Sequence, residues 1–153
     1  MKVCIGGTFD IIHKGHRMLI ETAFKEAGKD GYVFIGVTDG ELAERKKTRY
    51  TFKERCRMVE DYLSMVNNGI NYKTEGITDR YGPSINEDFD AIVVSSETKR
   101  VADEINDIRI KKGMKPLRIV TIPLVLAEDN KPISTSRIKK GEIDKEGGII
   151  KRP

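Results

Sequence analysis

Short apolar runs alternate with amphipathic segments along the chain. The runs that predict strands are KVCIG (2–6), YVFIGV (32–37), INYKT (70–74), AIVV (91–94) and LRIVTIPLVL (117–126). In residues 17–28, apolar side chains recur at the i, i+3, i+4 and i+7 spacing of one helix face. These side chains are Ile20, Ala23, Phe24 and Ala27, and Gly28 and Gly31 are placed to end the helix.

Two further helices are indicated by their end signals. Thr51, with Glu54 three residues later, forms a capping-box pattern at the start of one helix. Its buried stripe is predicted at Val59, Tyr62, Leu63 and Val66. The other helix is predicted from Lys99 to Lys112, closed by Gly113, and Pro123 is expected to end the fifth strand.

Continuous apolar strands that alternate with helices are typical of a parallel sheet covered on both faces. We therefore predict a three-layer, Rossmann-like α/β fold with a five-stranded parallel sheet. The 153 residues are expected to form one domain, and about 146–153 a loosely attached C-terminal tail.

Composition narrows the class of protein. The chain has 38% hydrophobic and 34% charged residues, and no window approaches a membrane span or a signal peptide, so we expect a cytoplasmic protein. The net charge of +4 fits a protein that binds polyanions. Because basic and acidic residues are interspersed, we expect a small anion rather than nucleic acid. Cys4 and Cys56 lie in apolar patterns and are expected to be buried, without a disulfide or zinc motif.

The loop GGTFDIIHKGH (6–16) holds both histidines of the chain and follows the first strand. Ligands of open parallel sheets bind beyond the carboxyl ends of the strands, and amides at a helix N-terminus attract anions. The loop matches neither GxxxxGK[ST] nor GxGxxG, which argues against P-loop phosphoryl transfer and ordinary dinucleotide binding. Two readings from position alone stay open: the histidines are incidental polar residues, or Asp10, His13 and His16 hold a metal ion.

The pattern GTFDxxHxGH resembles the signature of the nucleotidylyltransferase superfamily. The matching residues are Gly7, Thr8, Phe9, Asp10, His13, Gly15 and His16. The resemblance implies that the HxGH element binds the triphosphate of a nucleotide substrate.

A second motif, KPISTSRIKKGEID (131–144), follows the last strand. By itself it predicts a helix capped by Ser134 or Thr135. It also resembles the ISSTRIR element of the same superfamily, in which hydroxyls and an arginine hold the β- and γ-phosphates. The order of Ser and Thr is swapped here, and Lys139 stands where the family often has Arg, which removes a possible bidentate contact.

Two longer stretches resemble the archaeal and eukaryotic type of phosphopantetheine adenylyltransferase. The first, residues 79–98, matches at Gly82, Pro83, Val93, Val94, Ser95, Glu97 and Thr98. The second, residues 104–120, matches at Ile105, Asn106, Arg109, Gly113, Pro116 and Leu117. Chemistry alone explains the SSET and INxxR positions equally well as helix caps and surface charge. The resemblance implies the reaction of ATP with 4'-phosphopantetheine to give dephospho-coenzyme A and pyrophosphate.

From this resemblance we assign expected roles. The expected catalytic residues are His16 and one of Lys46 and Lys47, between which the sequence does not choose. The expected ATP-binding residues are Gly6, Gly7, Thr8, Phe9, His13, His16, Glu97, Ser134, Thr135, Ser136 and Arg137. The expected acceptor-phosphate ligands are Thr8, Lys46, Lys47 and Arg109. No protein metal site is expected, and Mg²⁺ is expected to arrive with the substrate phosphates.

Other readings remain open at this stage. One is a different nucleotidylyltransferase, acting on glycerol phosphate, choline phosphate or flavin mononucleotide, which the first loop does not exclude. Another is a non-catalytic module that binds nucleotide or nucleic acid. The alternative reading of Lys46 and Lys47 is a solvated charge run. The oligomeric state is not encoded in any of these patterns.

Overall fold

A computed structural model describes residues 1–151 and contains one parallel five-stranded sheet. The strands are β1 (Lys2–Gly7), β2 (Tyr32–Thr38), β3 (Asn71–Ile77), β4 (Ala91–Ser95) and β5 (Arg118–Ile122). The helices are α1 (Lys14–Ala27), α2 (Gly40–Glu44), α3 (Phe52–Val66), α4 (Lys99–Lys111) and α5 (Thr135–Lys139), with a 3₁₀ turn at Gly82–Ile85. The predicted α/β architecture is confirmed, and positions 152–153 of the expected tail lie outside the described residues.

The sheet order β3-β2-β1-β4-β5 places the first strand in the centre. β1 shares six register pairs with β2, from Lys2↔Tyr32 to Gly7↔Val37. It shares two with β4, Val3↔Ala91 and Cys4↔Ile92. Beyond Cys4 the two strands no longer pair, so a crevice opens at their carboxyl ends, the switch point where such folds bind ligands.

Alternating side chains of the strands divide the core into two layers. Val3, Val33 and Val93 lie in the layer that also contains Ile20 of α1 and Leu63 of α3. The opposite layer contains Cys4, Phe34, Ile92 and Ile105 of α4. The period-two alternation of a strand thus assigns each residue to a face, and both faces are covered.

The predicted end signals are confirmed at α3. Thr51 accepts a hydrogen bond from the Glu54 amide, and Glu54 accepts one from the Thr51 amide in return. Val59 and Leu63 are fully buried, whereas Tyr62 and Val66 are partly buried against the same layer. Short α2 was missed because five residues are too few to display a helical period.

Residues 145–150 make more contacts than the loose attachment expected of them. The Lys145 carbonyl accepts the Lys14 amide, and the Gly147 carbonyl accepts the Glu128 amide. Ile143, which is fully buried, forms an antiparallel bridge with Ile149. This bridge joins the segment to a small third apolar cluster that contains Ile143 and Ile138 of α5, which explains the difference.

Candidate active site

A cavity of about 850 Å³ fills the crevice at the carboxyl ends of β1, β2 and β4. It brings together segments that are distant in sequence, because the first loop and the start of α5 line the same space. Predicted site residues in its wall are Gly6, Gly7, Thr8, Phe9, His13, His16, Lys46, Glu97, Ser134, Thr135 and Ser136. Three predicted site residues, Lys47, Arg109 and Arg137, are not in its wall.

The two histidines are fixed by the helix that begins beside them. His13 is the N-cap of α1, and its Nδ1 accepts the amides of Gly15 (3.0 Å) and His16 (3.4 Å). The Nδ1 of His16 accepts the His13 amide at 3.3 Å. Because a neutral imidazole that accepts at Nδ1 carries its proton at Nε2, both rings offer an Nε2–H donor. The rings stack with centroids 3.8 Å apart.

Gly15 is required by this arrangement. A Cβ added at this position would lie 2.8 Å from Cε1 and 3.1 Å from Nδ1 of His13. Any side chain would therefore push the capping imidazole out of place. The glycine in HKGH thus has a steric reason that is independent of any ligand.

Both imidazoles are neutral at physiological pH. Burial, and next the cation of Arg17, lowers the pKa of His13 to about 4. Burial, and next the neighbouring His13, lowers the pKa of His16 to about 3, although the Ile11 carbonyl opposes this. A neutral donor can hydrogen-bond a phosphate oxygen without first losing or gaining a proton.

These pKa values predict how stability depends on pH. Between pH 6.5 and about 4 the unfolded chain protonates its histidines, while the folded chain keeps them neutral. The unfolded state then binds more protons, so the free energy of unfolding should fall as the pH falls through this window. Urea denaturation at pH 7, 6 and 5 measures the slope. A His13→Gln, His16→Gln double variant should show a shallower slope, and an equal slope would contradict the assignment.

Arg55 of α3 holds the ends of β1 and β2 together beneath the cavity. Its guanidinium is 1% exposed and donates to the carbonyls of Thr8 (2.8 Å) and Thr38 (2.9 Å), and to that of Tyr50 (3.2 Å). The Thr38 hydroxyl donates to the Thr8 hydroxyl at 3.1 Å. Thr8 therefore presents its hydroxyl from a firmly held backbone.

Phe9 anchors the first loop in the hydrophobic core. It is fully buried in the core, has a left-handed φ of 51° and packs 5.2 Å from the His16 ring. A Cβ at Gly7 would lie 3.0 Å from the Phe9 ring, so a side chain at position 7 would crowd that ring. Phe9 lines the cavity and also packs in the core, and the ATP contact expected of it from the sequence stays a prediction.

The structure distinguishes the two lysines of the β2–α3 connection. Lys46 lines the cavity, whereas Lys47 has a left-handed φ of 49° and does not line it. Of the two, Lys46 is therefore the one placed to meet a bound phosphate. Arg45 and Arg80 line the same cavity, although no sequence pattern marked them.

The Ser134–Ser136 turn is built as a helix cap. Ser134 is the N-cap of α5 and accepts the Arg137 amide at 3.2 Å. Of the two predicted caps, Ser134 and Thr135, the structure therefore has Ser134. The hydroxyl-bearing residues Ser134, Thr135 and Ser136 all line the cavity. α5 thus holds this turn in the wall of the cavity.

Arg137 does not line the cavity in this structure, and the phosphate contact expected of it stays a prediction. Its guanidinium pairs with Asp129 and, at 3.6 Å, with Glu142, and it donates to the Pro132 carbonyl at 3.2 Å. The Asp129 side chain leads the interactions that raise the pKa of Arg137. In this structure the guanidinium pairs with two carboxylates, so Arg137 stabilises the segment that leads into α5.

Arg109 also lies outside the cavity wall. It is 1% exposed and donates to the carbonyls of Ser84 (2.7 Å), Glu87 (2.8 Å) and Lys115 (2.8 Å). The INxxR pattern therefore encodes a buried connection between α4 and two loops. The structure does not bring Arg109 to the cavity, and its donors serve the backbone instead of the acceptor phosphate expected from the sequence.

Replacing Arg109 should separate these roles. Arg109→Met keeps the apolar stem but leaves three carbonyls without their donor. We expect the free energy of unfolding to fall by about 3 kcal/mol. The KM for the acceptor should stay within twofold at a temperature where the variant is folded. Urea denaturation and steady-state kinetics measure the two quantities, and a raised KM at unchanged stability would restore the ligand role.

The SSET segment forms the opposite rim of the cavity. Glu97 and Thr98 line it, and Thr98 also accepts the Ser95 amide at 3.1 Å. The helix cap expected on chemical grounds is not formed by a side chain, because Thr98 is the N-cap of α4 but its hydroxyl binds no amide of that helix. Glu97 is exposed, so its carboxylate is available to a ligand.

The charges around the cavity favour anions. Four basic side chains line it, Arg45, Lys46, Arg80 and Lys139, against the two carboxylates of Asp10 and Glu97. Lys139 was singled out in the sequence only as a departure from the motif. Its contact with Asp10 joins residues 129 positions apart in the chain, which no local pattern reveals.

Within residues 1–151, no group of three His, Cys, Asp or Glu side chains is placed to hold a metal ion. Asp10, His13 and His16 therefore do not form the metal site that their residue types allowed.

Cys4 is buried and burial raises its pKa to about 12, while Cys56 is half-buried. No helix in the described part of the chain combines the length and apolar character needed to cross a membrane.

Comparison with known proteins finds a matching family model and closely similar sequences. Residues 4–141 match the family model described as cytidylyltransferase-like. The chain is 47% identical over 151 residues to the phosphopantetheine adenylyltransferase of Methanosarcina mazei, covering 98% of this chain and 97% of that protein. It is 42% identical over 151 residues to the phosphopantetheine adenylyltransferase of Archaeoglobus fulgidus, covering 98% and 100%.

A solved structure shares the fold. A protein with unknown function from Archaeoglobus fulgidus superposes with a TM-score of 0.72 at 36% identity, covering 80% of this chain and 89% of that chain. The fold is thus shared with a protein of related sequence.

Proposed function

The chain belongs to the cytidylyltransferase-like family and, within it, to the phosphopantetheine adenylyltransferases, and on this premise we propose that it transfers the adenylyl group of ATP to 4'-phosphopantetheine. The products are dephospho-coenzyme A and pyrophosphate, which places the reaction in coenzyme A biosynthesis. The proposed compartment is the cytoplasm, where ATP is available.

One observation carries the site assignment: the first loop, Lys46 and the Ser134–Ser136 turn line one cavity. The loop and the turn together offer imidazole N–H groups, amides and hydroxyls, which suit a triphosphate. Lys46 offers a cation for a second phosphate. A wall of apolar side chains on the α4 side, including Val94, Val101 and Ile105, suits the uncharged part of the acceptor.

The chemistry needs positioning more than acid–base catalysis. A phosphate monoester, with a second pKa near 6, is largely dianionic at pH 7, so it attacks without a general base. Its oxygen forms a bond to the α-phosphorus of ATP, and the bond from that phosphorus to the bridging oxygen breaks. Pyrophosphate leaves with the electron pair, in line with the attacking oxygen.

We assign the following roles within this reaction. His16 donates from Nε2 to the α-phosphate as negative charge accumulates there, and His13 donates to the triphosphate. Thr8 and Lys46 orient the acceptor phosphate. The Ser134–Ser136 hydroxyls and the loop amides from Gly6 onward hold the leaving pyrophosphate.

Glu97 is assigned to the nucleoside part of ATP. A carboxylate next to phosphate oxygens would be repelled, whereas it can accept hydrogen bonds from ribose hydroxyls or an amino group. Its position on the β4 rim, opposite the first loop, supports this division. Magnesium is proposed to enter as the complex with ATP, because the described residues provide no cluster of ligands for it.

Pyrophosphate release tests the proposal directly. The protein is incubated with ATP and phosphopantetheine, and in parallel with CTP and glycerol phosphate, CTP and choline phosphate, and ATP and flavin mononucleotide. We expect turnover with the first pair alone. Turnover with another pair would move the assignment to that acceptor. A melting temperature raised by ATP without release of pyrophosphate from any pair would indicate a non-catalytic binding module.

A further inference from the structure

Asp10 is a buried carboxylate that the proposed chemistry does not use. It is 3% exposed, and its two oxygens accept amides from the β2–α3 connection. The Arg49 amide lies 3.0 and 2.8 Å from the two oxygens, and the Tyr50 amide lies 2.9 Å from one of them. The first loop and the β2–α3 connection, about 40 residues apart in sequence, are joined at this carboxylate.

Lys139 completes the contact from the other side. Its ammonium pairs with Asp10 and also donates to the Lys47 carbonyl at 3.1 Å. Burial works to raise the pKa of Asp10, but Lys139 and the two amides hold it below the usual value of a carboxyl group. The carboxylate is therefore charged and fully engaged, and it is unavailable as a general base.

The two residues enclose one short segment. Residues 45–50 lie outside any helix or strand, and Lys46 projects from them into the cavity. Lys139 holds the segment at Lys47, directly after Lys46, and Asp10 holds it at Arg49 and Tyr50. The amides of Lys46 and Lys47 continue the turn of α2 by donating to the carbonyls of Ala43 and Glu44, each at 3.0 Å. The contacts with Asp10 and Lys139 therefore fix the part of the segment that follows Lys46.

We propose that Asp10 and Lys139 are positioning residues for the acceptor: they clamp the β2–α3 connection so that Lys46 meets the acceptor phosphate. The inference depends on the proposed function, since it deepens the role of Lys46. It also links two loops, because the residue that holds the Lys46 segment lies three positions before His13. The alternative is that Lys139, which lines the cavity, binds the triphosphate itself.

The first test is Asp10→Asn, which keeps the shape but removes the charge. One carboxylate oxygen becomes an NH₂ group that faces a backbone donor, and the ion pair with Lys139 is lost. We expect the KM for phosphopantetheine to rise roughly tenfold, since hydrogen bonds to a charged group are weakened. The KM for ATP should stay within twofold. An unchanged KM for phosphopantetheine would overturn the proposal.

The second test separates the clamp from direct binding. Lys139→Met should reproduce the kinetics of Asp10→Asn. Lys139→Arg should keep the kinetic constants of the unmodified protein, because a guanidinium can also pair with Asp10. A rise in the KM for ATP alone would show that Lys139 contacts the triphosphate, and the clamp would be wrong. Lys53→Met, an exposed lysine on α3, is the matched control and should match the unmodified protein.

The third readout does not require turnover. Amide hydrogen exchange by NMR follows the Arg49 and Tyr50 amides in the protein without substrates. Asp10→Asn should accelerate both selectively, and equal exchange in the two proteins would overturn the clamp. If the unmodified protein shows no phosphopantetheine turnover, the proposed function fails, while accelerated exchange would still establish the contact. The two failures are thus distinguishable.

Discussion

Replacing His16 by alanine is expected to lower kcat by about 10²- to 10³-fold, as loss of one preorganised donor does. The imidazole is held before substrate arrives, because its Nδ1 accepts the His13 amide and its ring lies against Phe9. Its donor therefore needs no reorganisation when charge develops on the α-phosphate. Single-turnover kinetics with saturating substrates measures the chemical step, and near-normal turnover would remove His16 from catalysis.

A pair of amide variants locates the donor atom. In His16→Gln the side-chain amide nitrogen can occupy the place of Nε2, whereas in His16→Asn it mimics Nδ1. Because Nδ1 already accepts the His13 amide, we expect His16→Gln to retain more activity than His16→Asn. The reverse order would assign the phosphate contact to Nδ1. Melting temperatures of both variants identify any loss that comes from unfolding.

Replacing Lys46 by methionine should lower kcat/KM for phosphopantetheine by about 10²-fold. A charge-assisted hydrogen bond contributes about 1.5–3 kcal/mol, and the upper part of that range corresponds to this factor. The methionine keeps the apolar stem, so the change removes the ammonium and little else. The KM for ATP should change less than that for phosphopantetheine, which steady-state kinetics with each substrate varied in turn will measure.

Lys47→Met is the matched control for this variant. It removes the same charge from the next position, where the side chain does not line the cavity. Its left-handed backbone is equally strained with either side chain, so stability should be unaffected. Kinetic constants within twofold of the unmodified protein are expected. A loss equal to that of Lys46→Met would mean that the effect comes from net charge and not from a placed ammonium.

The sequence predicted those parts of the molecule that local patterns determine. Short apolar runs located all five strands, and the capping box located the start of α3, because both depend on neighbours within a few residues. The glycine-rich loop after β1 had to lie at the edge of a parallel sheet, so the histidines could be placed near a ligand. Choosing between Lys46 and Lys47 required the actual path of the connection.

The sequence did not reveal the partners of two arginines, because these partners are distant in the chain or belong to the backbone. A motif shows a guanidinium but does not show whether its partner is a phosphate, as expected of Arg137 and Arg109, or a protein oxygen. Arg137 pairs with Asp129 and Glu142, and Arg109 donates to three carbonyls, and neither set of partners is apparent in the spacing. The partners of Asp10 could not be predicted for the same reason, since they come from two other segments.

The unequal pairing of β1 has a consequence for how such proteins diverge. β1 pairs with β2 along its whole length but with β4 through two register pairs, so fewer backbone contacts join β1 to the β4 side of the crevice. The loop with the histidines follows β1, and Lys46 lies on the connection that follows β2, so both belong to the more extensively paired half of the sheet. We expect exchanges on the β4–β5 half to change the lining of the crevice with less effect on these side chains. A change of acceptor is therefore expected mainly from substitutions on that side of the sheet.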